Sequence, residues 1–131
     1  MVSVGSADTP RQVANVAAGT APTDAVNVQQ LNSGVSSAVA QANSYTDSQI
    51  QGLRRDADAG AATAMAVAGL PQPSGPGKSM VAIAGSIYRS QSGQAIGIST
   101  ISENNHWIYK AAVSTNTRNN YGAVVGAGYQ W

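Results

Sequence analysis

The sequence predicts a membrane α+β fold. Four antiparallel strands per chain contribute to a trimeric, twelve-stranded transmembrane β-barrel, and an N-terminal coiled-coil helix from each chain passes through the pore. Three observations predict it. The 131 residues hold 23 Ala, 15 Ser and 14 Gly, about 40% of the chain, with no Phe and only five Tyr and two Trp. That is too little large apolar surface for a compact soluble core to offset chain entropy. Residues 25–69 then carry a helical heptad seam built mostly of small residues. From Lys78 to the end the period becomes two, with one apolar strand face and one small face.

Composition excludes several function classes. Charged residues are 10% of the chain and the net charge is +1, so nucleic acid is not an expected partner. There is no Cys, hence no disulfide, thiolate metal site or cysteine nucleophile. No nucleophile–base pair or metal cluster stands out, so no enzyme activity and no cofactor are expected. Residues 1–6 have neither a basic nor an apolar targeting region, and no apolar run reaches eighteen residues. The chain is read as a fragment of something longer.

The first region, 1–24, is read as a short helix and neck. Thr9 as N-cap, Pro10 at the first helical position, Gln12 closing a capping box and Gly19 as stop predict a short helix within 8–19. Thr20 to Thr23 form a turn around Pro22. A second helix is expected to start at Thr23 or Asp24, and no proline follows until Pro71. Its core is expected at Val28, Leu31, Val35, Ile50 and Leu53, with Ala38, Ala42, Thr46, Ala57, Gly60, Ala64 and Val67 completing the seam. The 4, 4 steps through Thr46 lengthen the period and locally relax the left-handed supercoil. Alone, this helix buries too little, so it must oligomerise or be enclosed; the Ala-rich stretch 57–69 allows close approach on every side. Residues 70–77, with three prolines, are a linker.

Four strands follow, at about 78–89, 92–102, 106–117 and 121–131, linked by short turns at Ser90-Gln91 and Asn119-Asn120. One face carries Val81, Ile83, Ile87, Ile96, Ile98, Val113 and Val125, with Trp107, Tyr109, Tyr121, Tyr129 and Trp131 as an aromatic girdle near the ends. The other carries Ala82, Ala84, Ser86, Gly97, Lys110, Gly126 and Gly128, expected to face the pore. A solvated face would hold far more charge. Strands of about ten residues with terminal aromatics match a membrane barrel. Four strands cannot close one, and open edges are not tolerated in lipid, so chains must share it. Twelve strands at about 4.8 Å spacing and about 40° tilt give a backbone radius of about 12 Å. Three helices fit within that only if helix and strand faces are both small, whereas eight strands from two chains would be filled by side chains alone.

The motifs of these regions resemble the YadA-like trimeric autotransporter adhesins. Pro76-Gly77-Lys78 with Ile87-Tyr88-Arg89-Ser90-Gln91-Ser92-Gly93-Gln94-Ala95-Ile96-Gly97-Ile98-Ser99 is similar to the family's first hairpin. Asn104-Asn105-His106-Trp107 resembles its Asn-Asn-x-Trp turn, and Gly126 through Trp131 its closing strand. Asp24 through Leu31, with Gln12 through Gly19 upstream, resembles its neck. Ser86 and Ser90 depart from the family pattern, where Gly is usual. The resemblance implies a homotrimer in a bacterial outer membrane that anchors and exports a surface passenger. Partners would be a second and third copy, outer-membrane lipid, the barrel assembly machinery through the C-terminal strand, and a host ligand held by a passenger absent here. A soluble trimeric stalk fragment is the alternative, contradicted by the strand pattern of 78–131.

The remaining signals are weak. Gly77-Lys78-Ser79 lacks the upstream Gly of a phosphate loop and precedes a strand. His106 is the only histidine and is read as a turn residue. Arg54, Arg55, Asp56 and Asp58 read either as an interchain network or, more simply, as an Arg54–Asp58 pair along the helix. Lys110 either meets pore water or bonds helix carbonyls.

Overall fold

The computed structural model covers residues 1–131 and contains one helix and one sheet: α1 (Val28–Ala68), β1 (Ser79–Tyr88), β2 (Gln91–Ile101), β3 (Trp107–Asn116) and β4 (Tyr121–Tyr129). The chain forms two compact units, Met1–Asp47 and Ser48–Trp131.

In the first unit the expected helix within 8–19 is absent. Thr9 caps a tight turn instead: the Ser6 and Thr9 amides and carbonyls bond each other at 3.2 and 3.3 Å, and their hydroxyls meet at 2.7 Å. A helix of two or three turns with no surface to bury against does not offset its nucleation cost. Its would-be terminal groups are taken by α1. Gln30 holds Gly19 from both sides, accepting from its amide (3.0 Å) and donating to its carbonyl (2.9 Å), and Asn27 Nδ2 donates to the Val16 carbonyl (3.1 Å). The start of α1 is also later than expected. Asn27, not Thr23 or Asp24, is the N-cap: its Oδ1 accepts from the Gln30 amide at 2.8 Å, and its carbonyl accepts the Leu31 amide at 3.1 Å. Asp24 closes the preceding turn, its Oδ2 accepting from the Thr20 and Ala21 amides at 2.8 and 2.9 Å.

In the second unit the strands form an antiparallel meander, β1-β2-β3-β4. The β1–β2 loop is Arg89-Ser90 rather than Ser90-Gln91, since Gln91 already pairs with Tyr88. Both loop residues have positive φ, 45° and 65°, which the tight hairpin turn matching strand twist requires. The β3–β4 link runs from 117 to 120, with Asn119 at φ 58°. The register aligns Val81, Ile98, Ala111 and Val125 across all four strands, and beside them Ile83, Ile96, Val113 and Ala123. On the opposite face Ala82, Gly97, Ala112 and Val124 form the matching row. This small face packs on the end of α1. The core is Ala66, Leu70, Ala82, Ala95 and Ala112, with Val67, Met80 and Ala84 beside it. A core made mostly of alanine methyl groups buries little area per residue, so its value lies in close backbone approach.

Candidate functional site: the helix–strand interface

The side of α1 that faces the strands is Ala59, Ala62 and Ala66, each 0–1% exposed. The spacing of three and four residues puts their methyls on one stripe. The continued seam at Ala57, Gly60 and Ala64 is exposed, as are Val28, Leu31, Val35, Ile50 and Leu53, so within one chain the seam has no partner.

The seven residues expected to face the pore share one side of the sheet by register. Ala82 is buried and Ala84 half-buried. The Ser86 hydroxyl donates to the Ala62 carbonyl, so the departure from Gly at this position makes a hydrogen bond to the helix. A Cβ on Gly97 would lie 2.9 Å from Leu70 Cδ1. Lys110 Nζ donates at 3.2 Å to the Val67 carbonyl, which also accepts the Leu70 amide at 3.3 Å; it lies at the C-terminal end of α1, where a cation suits the helix dipole. Gly126 and Gly128 differ: added methyls there would meet nothing within 4 Å, because the chain's own helix does not reach β4.

Several contact residues are missing from the sequence-based set. Gly93 is the tightest: its Cβ would sit 2.5 Å from the Ala62 carbonyl carbon and oxygen. Asn116 is buried and uses all its hydrogen-bonding capacity. Its Nδ2 donates to Thr63 Oγ1 (3.0 Å) and the Ala59 carbonyl (3.4 Å), while Oδ1 accepts from the Arg118 and Asn120 amides (3.0 and 3.2 Å). Its alternation in β3 was the available signal. The charged cluster follows neither expected pairing within the helix nor any pairing visible in the local sequence. Asp56 meets Arg118 at 2.7 Å and Asp58 meets Arg89 at 4.0 Å, both arginines lying in strand turns.

The aromatic residues sit on the opposite, outward face. Trp107 stacks on Tyr109 (6.0 Å between centroids) and meets Tyr129 edge-on (5.2 Å). His106 stacks on Tyr129 at 5.4 Å and its Nδ1 donates to the Gln130 carbonyl at 2.8 Å, which ties the β2–β3 turn to the end of β4. Tyr121 lies at the other end of β4, and Trp131 follows it fully exposed.

Residues 71–131 match the YadA-like membrane anchor domain, and residues 12–58 match the coiled stalk of trimeric autotransporter adhesins. The chain is 43% identical over 122 residues, 93% of its length, to autotransporter adhesin NhhA of Neisseria meningitidis serogroup B. It is 38% identical over 134 residues (97%) to autotransporter adhesin EhaG of Escherichia coli O157:H7. To autotransporter adhesin BtaE of Brucella suis biovar 1 it is 32% identical over 145 residues (94%). It spans 19%, 8% and 19% of these relatives' lengths. With both regions matched in order and relatives aligned along nearly the whole chain, the protein belongs to the YadA-like trimeric autotransporter adhesins, of which it carries the stalk and the membrane anchor.

Proposed function

We propose that three copies of this chain close one twelve-stranded barrel in the bacterial outer membrane, with three α1 helices inside it, and that the barrel exports and then tethers an adhesive passenger. One observation carries the reading. The apolar rows Val81–Ile98–Ala111–Val125 and Ile83–Ile96–Val113–Ala123 cross all four strands on the face away from the helix, while β1 and β4 remain unpaired at both edges. In lipid such edges must be closed by other strands. Outer-membrane lipid covers the apolar rows, the C-terminal strand engages the barrel assembly machinery, and the passenger, not this chain, binds the host surface. The domain division follows: 1–24 neck, 25–69 stalk and pore helix, 70–77 linker, 78–131 barrel. No helix is long and apolar enough to cross a membrane.

The test is mass analysis in mild detergent with and without boiling. A heat-resistant trimer is the expected result; a monomer, or a chain soluble without detergent, overturns the reading. The C-terminus faces the periplasm in this proposal, so a cysteine at Asn119 reacts with an impermeant reagent in whole cells and one at Asn104 does not. Labelling only at 104 reverses the orientation.

A further inference from the structure

Two ion pairs join α1 to the turns at one end of the sheet. Arg118 Nε donates to Asp56 Oδ1 at 2.7 Å, and Arg89 Nη1 lies 4.0 Å from Asp58 Oδ1. Arg89 opens the β1–β2 turn and Arg118 lies in the β3–β4 link, and the meander topology puts those two turns at the same end. Asp56 and Asp58 stand just ahead of Ala59, where the strand-facing stripe of the helix begins. The Asp58 side chain is only 14% exposed, whereas that of Arg89 is 67% exposed.

The order of charges along the helix makes this contact directional. Arg54 and Arg55 precede the two aspartates, and Gly60 and an alanine-rich run follow them. One helical turn is 5.4 Å. A helix one turn short of its place would put Arg54 where Asp58 stands, guanidinium against the guanidinium of Arg89. A helix one turn too far would present only small neutral residues to both arginines.

We infer that Arg89 and Arg118 with Asp56 and Asp58 form a charge collar that stops α1 at one axial register when passage through the barrel ends. This rests on the barrel-and-export reading. The rim first repels Arg54 and Arg55, then captures the aspartates, and beyond them the helix offers the two arginines no further charge. The arginines act as positioning residues and touch no passenger.

The chain has no cysteine, which permits a register reporter. A Cβ at Gly69 would lie 3.7 Å from the Ala84 Cβ, within disulfide range. Chains carrying Gly69→Cys and Ala84→Cys are purified as the detergent-stable oligomer, and the rate of disulfide formation is measured at low salt. Adding Asp56→Arg and Asp58→Arg is expected to slow it about fivefold, the upper range for a partly exposed pair. Adding Arg89→Asp and Arg118→Asp to that variant is expected to restore it. An unchanged rate in the aspartate variant overturns the collar, and so does lost assembly that the charge swap does not recover. Failure of the unmodified reporter chain to form any stable oligomer overturns the barrel reading itself.

Discussion

At Gly93 the strand backbone and the helix backbone come so close that no side chain fits between them. A methyl group there would lie 2.5 Å from the Ala62 carbonyl and 2.6 Å from the Thr63 amide, both main-chain atoms that a rotamer change cannot move. Gly93→Ala must therefore displace the helix or bend the strand. The expected cost is about 1–3 kcal/mol per chain, the range for overpacked cores, read as a lower dissociation temperature of the detergent-stable oligomer. Gly85→Ala is the control, since its nearest neighbour outside the local chain is 3.9 Å from the added methyl. An equal loss in both variants would remove the close approach as the cause. Gly93 was visible in the sequence as one small residue among many on an alternating face. Alternation assigns a face but gives no distance, so it could not single out the glycine that touches the helix backbone.

At the scale of elements, the strands were legible because their period of two is continuous and their turns carry Asn and Ser. Their observed ends lie within one or two residues of those expected, apart from Trp131, which follows β4 without joining it. The short helix was illegible for the opposite reason. Its caps are local signals, but the backbone groups near its expected end are taken by Asn27 and Gln30, eleven residues away. The ion pairs of Asp56 and Asp58 were illegible too, because Asp56 finds its arginine 62 residues along the chain. The turn that leads into α1 makes a pH prediction. Backbone amides of Ala21 and Thr20, donating to Asp24, hold its carboxyl below the usual carboxylate range. A carboxyl depressed in the folded state stabilises the turn above its unfolded pKa, and that contribution is lost as pH falls through the folded value. Amide hydrogen exchange at Thr20 and Ala21, corrected for its intrinsic pH dependence, is expected to show protection that holds at neutral pH and decreases below about pH 4. Asp24→Asn should abolish that acid-dependent step. Retention of the step in the variant would assign it to another group.

At the scale of the whole molecule, the question is which side of the sheet meets lipid and which meets helices. The two faces differ in size: Val81, Ile83 and Val125 are 73–83% exposed in the single chain, whereas Ala82, Ala95 and Ala112 are at most 9% exposed beneath the helix. In the proposed twelve-stranded barrel, a radius of about 12 Å would leave little more than methyl groups between three helices and the strands. A large side chain therefore distinguishes the faces. Ile83→Trp and Val125→Trp should be tolerated, because in the proposed orientation the indole would meet acyl chains that rearrange around it. Ala84→Trp should reduce both oligomer yield and surface display, because Ala84 lies against the end of the chain's own helix, 3.7 Å from a methyl built at Gly69. Gly126→Trp tests the assembly separately. Nothing in the single chain lies within 4 Å of a methyl at this position, so a lone chain would accept the change. In the proposed closed barrel the inner side of β4 would face a helix supplied by another copy, and the same change should then be as damaging as Ala84→Trp. Damage at 84 with tolerance at 126 would mean that β4 is not covered by a neighbouring helix. Damage at 83 and 125 equal to that at 84 and 126 would mean that the inner and outer faces had been exchanged or that both are packed against protein.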